Sequence, residues 1–318
     1  MRVLVLARRD AGGSWAHLSA CLRARGIADA RVVTFDCDPS LRCASDIADV
    51  FDGGQELAHL VEHADAFHFV DLVPEEVSLF GGRVAERCAS TEVRVVLQCD
   101  RRPSPARAGE LARLAGANGW SLATTRPLAR ELPGAQLLAP FVPLWRAPWL
   151  PVEAGTQART RRTERSVIAT SSRSLRERPA LERRIDEAER IARALPDLRV
   201  EVIAAKPQAL ALQRRRRAHL VVTGGDGLGR NALESLAHGI PTVVDLSPSD
   251  QAAWTELAGG RPAPVLPFAR LEEAMHAASM AGDPQPLLRA WASSVLDPQR
   301  WLDACASWWL PQRAAKAA

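Results

Sequence analysis

Between Leu220 and Val244 the chain reads LVVTGGDGLGRNALESLAHGIPTVV, and this stretch holds the densest set of residues suited to binding chemistry. A short apolar run, Leu220–Thr223, enters a loop with glycine at 224, 225, 227 and 229, and a helical segment begins near Asn231. Glycine lets the backbone approach a ligand closely. A helix start offers main-chain N–H groups and the positive end of the helix dipole to a phosphate. Asp226 lies in the loop and Glu234 one turn into the helix, so both acids can reach the same mouth. The G-x-G-x-x-G dinucleotide fingerprint is not met, because Arg230 stands where the third glycine should fall after Gly225 and Gly227. As a purely structural feature, the same residues make a glycine-rich turn ahead of a buried helix cap.

Short apolar runs alternating with amphipathic segments must position this loop. Strands are expected at Arg2–Ala7, Arg31–Phe35, Ala66–Val70, Val93–Gln98, Trp120–Thr124 and Ala135–Ala139, with helices at Ser14–Arg25, at Leu57–Glu62 and after Pro105. Residues 139–165 then interrupt the pattern with four prolines and the Arg/Thr-rich stretch GTQARTRRTER. The same grammar restarts with strands at Val167–Thr170, Val200–Ala204, Leu220–Thr223 and Pro241–Asp245. Its helices are expected at Ala180–Leu195, Asn231–His238, Leu271–Met280 and Gln299–Leu310. Continuous apolar strands separated by helices imply parallel sheets covered on both faces. The expected architecture is therefore α/β, with two Rossmann-like halves joined by a linker and facing a cleft.

The residues of the second half resemble the nucleotide-sugar site of retaining glycosyltransferases of the GT-B fold, family 4. Their pattern is a strand, then E-G-x-G-x-x-x-x-E near a helix start, then a small-residue segment ending G-x-P-V. Here the match is Asp226-Gly-Leu-Gly-Arg-Asn-Ala-Leu-Glu234, followed by Gly239-Ile-Pro241-Thr-Val, with aspartate in place of the first glutamate. The family's R-x-x-x-x-K at a helix entrance is matched by Arg173-Ser-Leu-Arg-Glu-Arg178. The resemblance implies that Glu234 binds the ribose hydroxyls, that Asp226 faces the donor sugar, and that Arg173 and Arg178 stabilise the departing diphosphate, where negative charge grows. It also implies that Gly225, Gly227, Leu228 and Gly229 line the nucleotide, and that Gly12 and Gly13, after the first strand, line the cleft near the donor phosphate. The implied domains are 1–145 on the acceptor side, a linker at 146–165, a nucleotide-sugar domain at 166–296 and a final helix, 297–318, packing back on the first domain. The implied donor is a nucleotide-diphosphate sugar, used without an essential metal or other cofactor, and the implied acceptor is a saccharide, lipid-linked or other hydroxyl. Asp65–Val70 resembles a family strand that often reads D-V-V-H-V-H. The fourth strand, which usually ends in His-Asp, ends here in Gln98-Cys99-Asp100. Aspartate at 226 and cysteine at 99 keep a second reading open, in which a GT-B relative binds a nucleotide sugar or a partner without transferring the sugar.

Three further groupings have bland alternatives. His59-Leu-Val-Glu62-His63 fits an inverted zinc-protease pattern, in which two histidines four apart on a helix hold the metal, but a solvated helix end explains it as well. Asp36-Cys37-Asp38 fits the metal-binding D-x-D of the other glycosyltransferase fold, or an acid meeting a ribose at the end of a second strand. Trp308 and Trp309 suit either a core or a lipid-facing surface.

Composition narrows the partners. The 318 residues carry a net charge of only +4, and just two of the 41 basic residues are lysines, Lys206 and Lys316. Arginine usage this one-sided reads as compositional background, so nucleic acid, including a modified nucleic-acid acceptor, is permitted without being indicated. Six scattered cysteines with no C-x-x-C pair suggest reduced thiols. No apolar run approaches the ~18–20 residues of a membrane span, and the N-terminus reads as a strand, so a cytoplasmic chain is expected.

Overall fold

The computed structural model describes residues 1–8, 10, 14–35, 54–77, 83–100, 103–127, 131–142, 144, 165–170, 178–195, 198–203, 218–223, 227–280 and 285–310. In chain order the first elements are β1 (Arg2–Ala7), α1 (Ser14–Ala24), β2 (Asp29–Thr34), α2 (Gly54–His63), β3 (Ala66–Val70), α3 (Pro74–Val77), α4 (Val84–Cys88), β4 (Arg94–Cys99), α5 (Pro105–Asn118), β5 (Ser121–Thr124) and β6 (Gln136–Leu137). They are followed by β7 (Arg165–Thr170), α6 (Arg178–Ala192), β8 (Leu198–Ile203), β9 (Leu220–Thr223), α7 (Arg230–Ala237), β10 (Thr242–Val243), α8 (Pro248–Leu257), α9 (Leu271–Met280), α10 (Pro286–Val295) and α11 (Pro298–Trp309). The chain divides into two compact units, one made of residues 1–141 together with 298–318, the other of residues 142–297. The expected linker at 146–165 falls outside the described residues, apart from Arg165, which opens β7.

In the first unit six strands form a parallel sheet in the order β2-β1-β3-β4-β5-β6. Alternation along each strand divides the apolar side chains between two cores. Leu4, Leu6, Phe67, Phe69, Val95 and Leu97 pack on one face with residues of α2 and α5. Val3, Val5, Ala66, Val70 and Val96 pack on the other with Trp15 and Leu18 of α1 and Trp301, Trp308 and Trp309 of α11. Helix α11 is thus integral to this unit, and the Trp301 indole N–H donates to the Ala139 carbonyl at 2.7 Å. Helix starts follow local chemistry. Ser104 caps α5 by accepting from the Arg107 amide ahead of Pro105. Asp10 caps α1 by accepting from the amides of Trp15 and Ala16 at 3.0 and 3.1 Å.

In the second unit four strands form a parallel sheet in the order β10-β9-β7-β8. Val167, Leu198, Leu220, Val222 and Val243 pack against Ala188 and Ile191 of α6 and against Leu271, Ala274 and Met275 of α9. Helix α10 packs on α7. Both sheets reverse their winding at one point, between β1 and β3 in the first and between β7 and β9 in the second. Ligands of open parallel sheets bind outside the carboxyl ends of the strands at such points. Among the described residues no helix is long and apolar enough to cross a membrane.

Candidate functional site

The glycine loop lies at the carboxyl end of β9, beside the switch point of the second sheet. Strand β9 is buried throughout, and the chain leaves it at Thr223. Residues 224–226, among them the site candidates Gly225 and Asp226, lie outside the described residues. Gly227 has φ +96°, a conformation L-residues rarely adopt, and its N–H donates to the Asp245 carbonyl at 3.1 Å. That bond joins the loop to the chain just beyond β10. A side chain at Gly227 would meet the Asp250 carboxylate at 3.9 Å, an ordinary contact, so conformation and not crowding demands the glycine. Leu228 is buried. Gly229 is the N-cap of α7 in an ordinary extended conformation, with no side-chain cap hydrogen bond and open space where a Cβ would stand.

Glu234 sits in the second turn of α7 and is 1% exposed. Its Oε1 accepts from the Arg230 Nε at 2.8 Å, an i,i+4 pair that supplies the countercharge burial requires. The expectation from the sequence had this carboxylate reaching the mouth, and in the structure one of its oxygens already carries a cation. Of the two arginines assigned to the diphosphate, Arg178 is the first residue of α6, and Arg173 lies outside the described residues, as do Gly12 and Gly13.

Two residues at this edge carried no signal in the sequence. Arg184 of α6 is 6% exposed. Its Nη1 donates to the Thr223 carbonyl at 2.5 Å and its Nη2 to the Asp245 Oδ2 at 2.7 Å, while its Cζ lies 5.3 Å from the centroid of the Phe268 ring. The other oxygen of Asp245 accepts from the Phe268 amide at 2.8 Å.

The corresponding edge of the first sheet gathers a polar chain. The Gln98 amide nitrogen donates to Asp100 Oδ1 at 2.6 Å, and the Thr125 hydroxyl donates to the same oxygen at 2.9 Å. Gln98 Oε1 must then face His68 Nε2, 2.9 Å away, so that nitrogen carries the proton. The Asp100 amide donates to Asp71 Oδ1, and Asp71 holds φ +55°. Burial, followed by the neighbouring charge of Asp71, raises the Asp100 carboxyl to about 7. Burial lowers His68 to about 3, and its ring packs edge-on against Trp15, Trp308 and Trp309. The only histidine of β3 is therefore inside the unit, not at the strand ends.

The remaining groupings resolve simply or lie out of reach. His59, Glu62 and His63 share α2, where His63 Nδ1–H donates to the His59 carbonyl at 2.9 Å, the bond of a helix end. Among the described residues no group of three or more His, Cys, Asp or Glu side chains is placed to hold a metal. Asp36, Cys37 and Asp38 lie outside the described residues. Trp308 and Trp309 are buried in the first unit.

No protein-family model matches the chain. No curated protein matches it in sequence. Solved structures do match its fold. A protein assigned as a UDP-N-acetylglucosamine 2-epimerase from Listeria monocytogenes aligns over 96% of this chain and 96% of its own, with a TM-score of 0.51 and 12% identity. The chain is also similar to the spinosyn rhamnosyltransferase SpnG complexed with thymidine diphosphate, over 96% of this chain and 99% of that one, with a TM-score of 0.49 and 16% identity. An α,α-trehalose-phosphate synthase (UDP-forming) from Burkholderia vietnamiensis aligns over 97% and 98% of the two chains, with a TM-score of 0.49 and 14% identity. At these identities the likeness is one of fold, and that fold is GT-B.

Proposed function

We propose that this GT-B chain is a glycosyltransferase that binds the nucleoside diphosphate of a sugar donor at the β9–α7 edge of its second unit. The observation that carries the reading is the Gly227–Gly229 turn. It stands at the carboxyl end of a buried strand at a switch point and leads into a helix whose N-cap is glycine and whose second turn holds a buried acid. Backbone amides and a helix start at such an edge suit a diphosphate.

In this reading Glu234 orients the ribose, and Arg230 is its ion-pair partner. The glycosidic C–O bond to the diphosphate breaks as a new C–O bond forms to the acceptor hydroxyl on the same face of the sugar, so configuration is retained. The diphosphate leaves with the bonding electron pair, its departing oxygen takes up the proton of the acceptor hydroxyl, and Arg173, Arg178 and the start of α7 stabilise the charge it gains. Arginine in place of the family's lysine offers a planar fork to the phosphate oxygens. Asp226 faces the sugar. No metal or cofactor is assigned a role, and the acceptor is a hydroxyl compound.

A thermal-shift screen against UDP, GDP, ADP and CMP identifies the base, since a selective ligand stabilises the folded chain by mass action. In calorimetric titrations with that nucleotide, Arg173→Ala and Glu234→Ala each weaken binding at least ~10-fold, which corresponds to ~1.4 kcal/mol. Unchanged affinity in correctly folded variants rejects the assignment. The ion pair that occupies Glu234, together with Asp226 and Cys99, favours a second reading in which the chain binds a nucleotide sugar without transferring it. Binding with no donor hydrolysis and no transfer across an acceptor panel would select that reading.

A further inference from the structure

Arg184 is out of place on its helix. On α6 the positions 184, 188 and 191 share one face, and Ala188 and Ile191 fill it as core residues, fully or almost fully buried. An apolar side chain at 184 would continue that stripe. A buried cation at such a position is costly unless partnered, and the partner here, Asp245, keeps 45% of its side chain exposed, so the pair adds only modest net stability. Stability alone therefore does not account for Arg184.

Its contacts indicate a different role. The guanidinium fork spans two chain segments that leave the sheet side by side, the Thr223 carbonyl ending β9 and the Asp245 carboxylate just past β10. Asp245 passes the constraint on in two directions. Its second carboxylate oxygen holds the Phe268 amide, and its main-chain carbonyl holds the amide of Gly227. Phe268 closes the arrangement by stacking under the guanidinium. One side chain thus fixes both ends of the glycine loop, at Thr223 where the chain enters it and, through Asp245, at Gly227 where the chain turns into α7.

We propose that Arg184 is a positioning residue, acting through Asp245 to hold the Gly227 turn, whose own Gly227 and Gly229 amides bond within the chain, in a shape that presents the first-turn amides of α7 to the diphosphate of a nucleotide. This inference rests on the proposed function for its ligand and on geometry alone for the clamp. Arginine suits the place because its planar fork holds a carbonyl and a carboxylate in one fixed geometry, which the flexible lysine ammonium does not pre-organise. Asp245 takes the fork at one oxygen and the Phe268 amide at the other.

The experiment compares Arg184→Met, Arg184→Lys and Asp245→Asn with the wild-type chain in two measurements. The first is amide hydrogen exchange by NMR. Gly227 exchange rises at least ~10-fold in Arg184→Met and in Asp245→Asn, while Val221 and Leu233, whose amides bond to Pro241 and Gly229, stay protected. Arg184→Lys recovers part of that protection. The second is calorimetric titration with UDP, GDP and ADP, each against its nucleoside. Arg184→Met loses at least ~10-fold in diphosphate affinity with nucleoside affinity little changed. Unchanged Gly227 exchange in folded variants overturns the clamp whatever binds. Raised exchange with unchanged diphosphate affinity overturns the positioning role. A wild-type chain that binds none of these nucleotides overturns the functional reading and the ligand named here, with the exchange result still deciding the clamp. If Arg184→Met fails to fold, Asp245→Asn, which keeps an acceptor for Phe268, decides both measurements.

Discussion

Asp100 and His68 are joined through one glutamine amide, and their protonation preferences make opposite demands on pH. The Asp100 carboxyl stands near 7 in the folded chain against an ordinary 3.8, chiefly through burial and then through Asp71. The folded state thus holds a proton that the unfolded state releases. The stability this adds is complete below about pH 4 and is lost as pH rises through 7. Burial holds His68 near 3 against an ordinary 6.5, so its contribution is present above pH 6.5 and is lost as pH falls. Between those limits the two slopes oppose each other, and above pH 6.5 the Asp100 slope acts with little opposition. Asp100→Asn keeps an oxygen acceptor for Gln98 and Thr125 and removes the titrating proton. Thermal melts of the variant are expected to be flat from pH 6.5 to 8 where the wild type declines, with a gain at pH 8 of ~2–4 °C for each ~1 kcal/mol recovered. A variant that declines in parallel with the wild type would show that Asp100 is not the titrating group. At this scale the sequence was informative where a motif fixes spacing, as from Gly227 to Glu234. It was silent on Arg184 and Asp245, because an arginine on an amphipathic helix reads as a solvated cation, and no local pattern ties it to an aspartate 61 residues away.

At the level of elements, the strands were the legible part. Arg2–Ala7, Ala66–Val70 and Leu220–Thr223 have the limits that their apolar patterns suggest, as does the helix Leu271–Met280. The expected strands at 135–139 and 241–245 are short in the structure, two residues each. Helix α8 gave no period, since Trp254 is the one residue it buries. Helix α10 did carry one, with Leu288, Trp291, Ala292 and Val295 at the i, i+3, i+4, i+7 spacing of a core stripe. The glycine turn yields a paired test at this level. Gly227→Ala forces a side chain into a positive-φ position and is expected to cost ~1–2 kcal/mol in denaturant unfolding. Gly229→Ala meets neither strain nor a neighbour and loses only the N-cap preference for glycine, so its melting temperature should fall less than that of Gly227→Ala while nucleotide affinity falls, because the added methyl stands where the phosphate is placed. Equal melting temperatures for both variants would contradict the conformational argument. Unchanged affinity in Gly229→Ala would move the phosphate elsewhere.

At the scale of the whole molecule, alternating strands and helices announced two parallel α/β units, and the strand order did not follow from them. Order depends on which faces bury best against which helices, and it shows only in the register of the β2-β1-β3-β4-β5-β6 and β10-β9-β7-β8 sheets. The first unit also depends on a segment distant in sequence. Trp309 is 1% exposed against Val3, Val5 and their neighbours, and Trp309→Ala is expected to destabilise this unit by ~3–5 kcal/mol. If the two units unfold separately, calorimetry should show one transition falling and the other unmoved. A single transition that shifts as a whole would instead show that they unfold together.

The return of α11 to the first unit has a consequence during synthesis. Residues 1–141 emerge from the ribosome with one face of their sheet covered by α1 alone, because the helix that completes it is encoded at 298–309. Translation at about 5–20 residues per second leaves that face incomplete for roughly 10–30 s. The second unit is contiguous and can complete its own core in the interval. For that time Trp15, Leu18 and the apolar side chains of β1 and β3 are a nascent surface that chaperones can hold and neighbouring chains can misuse.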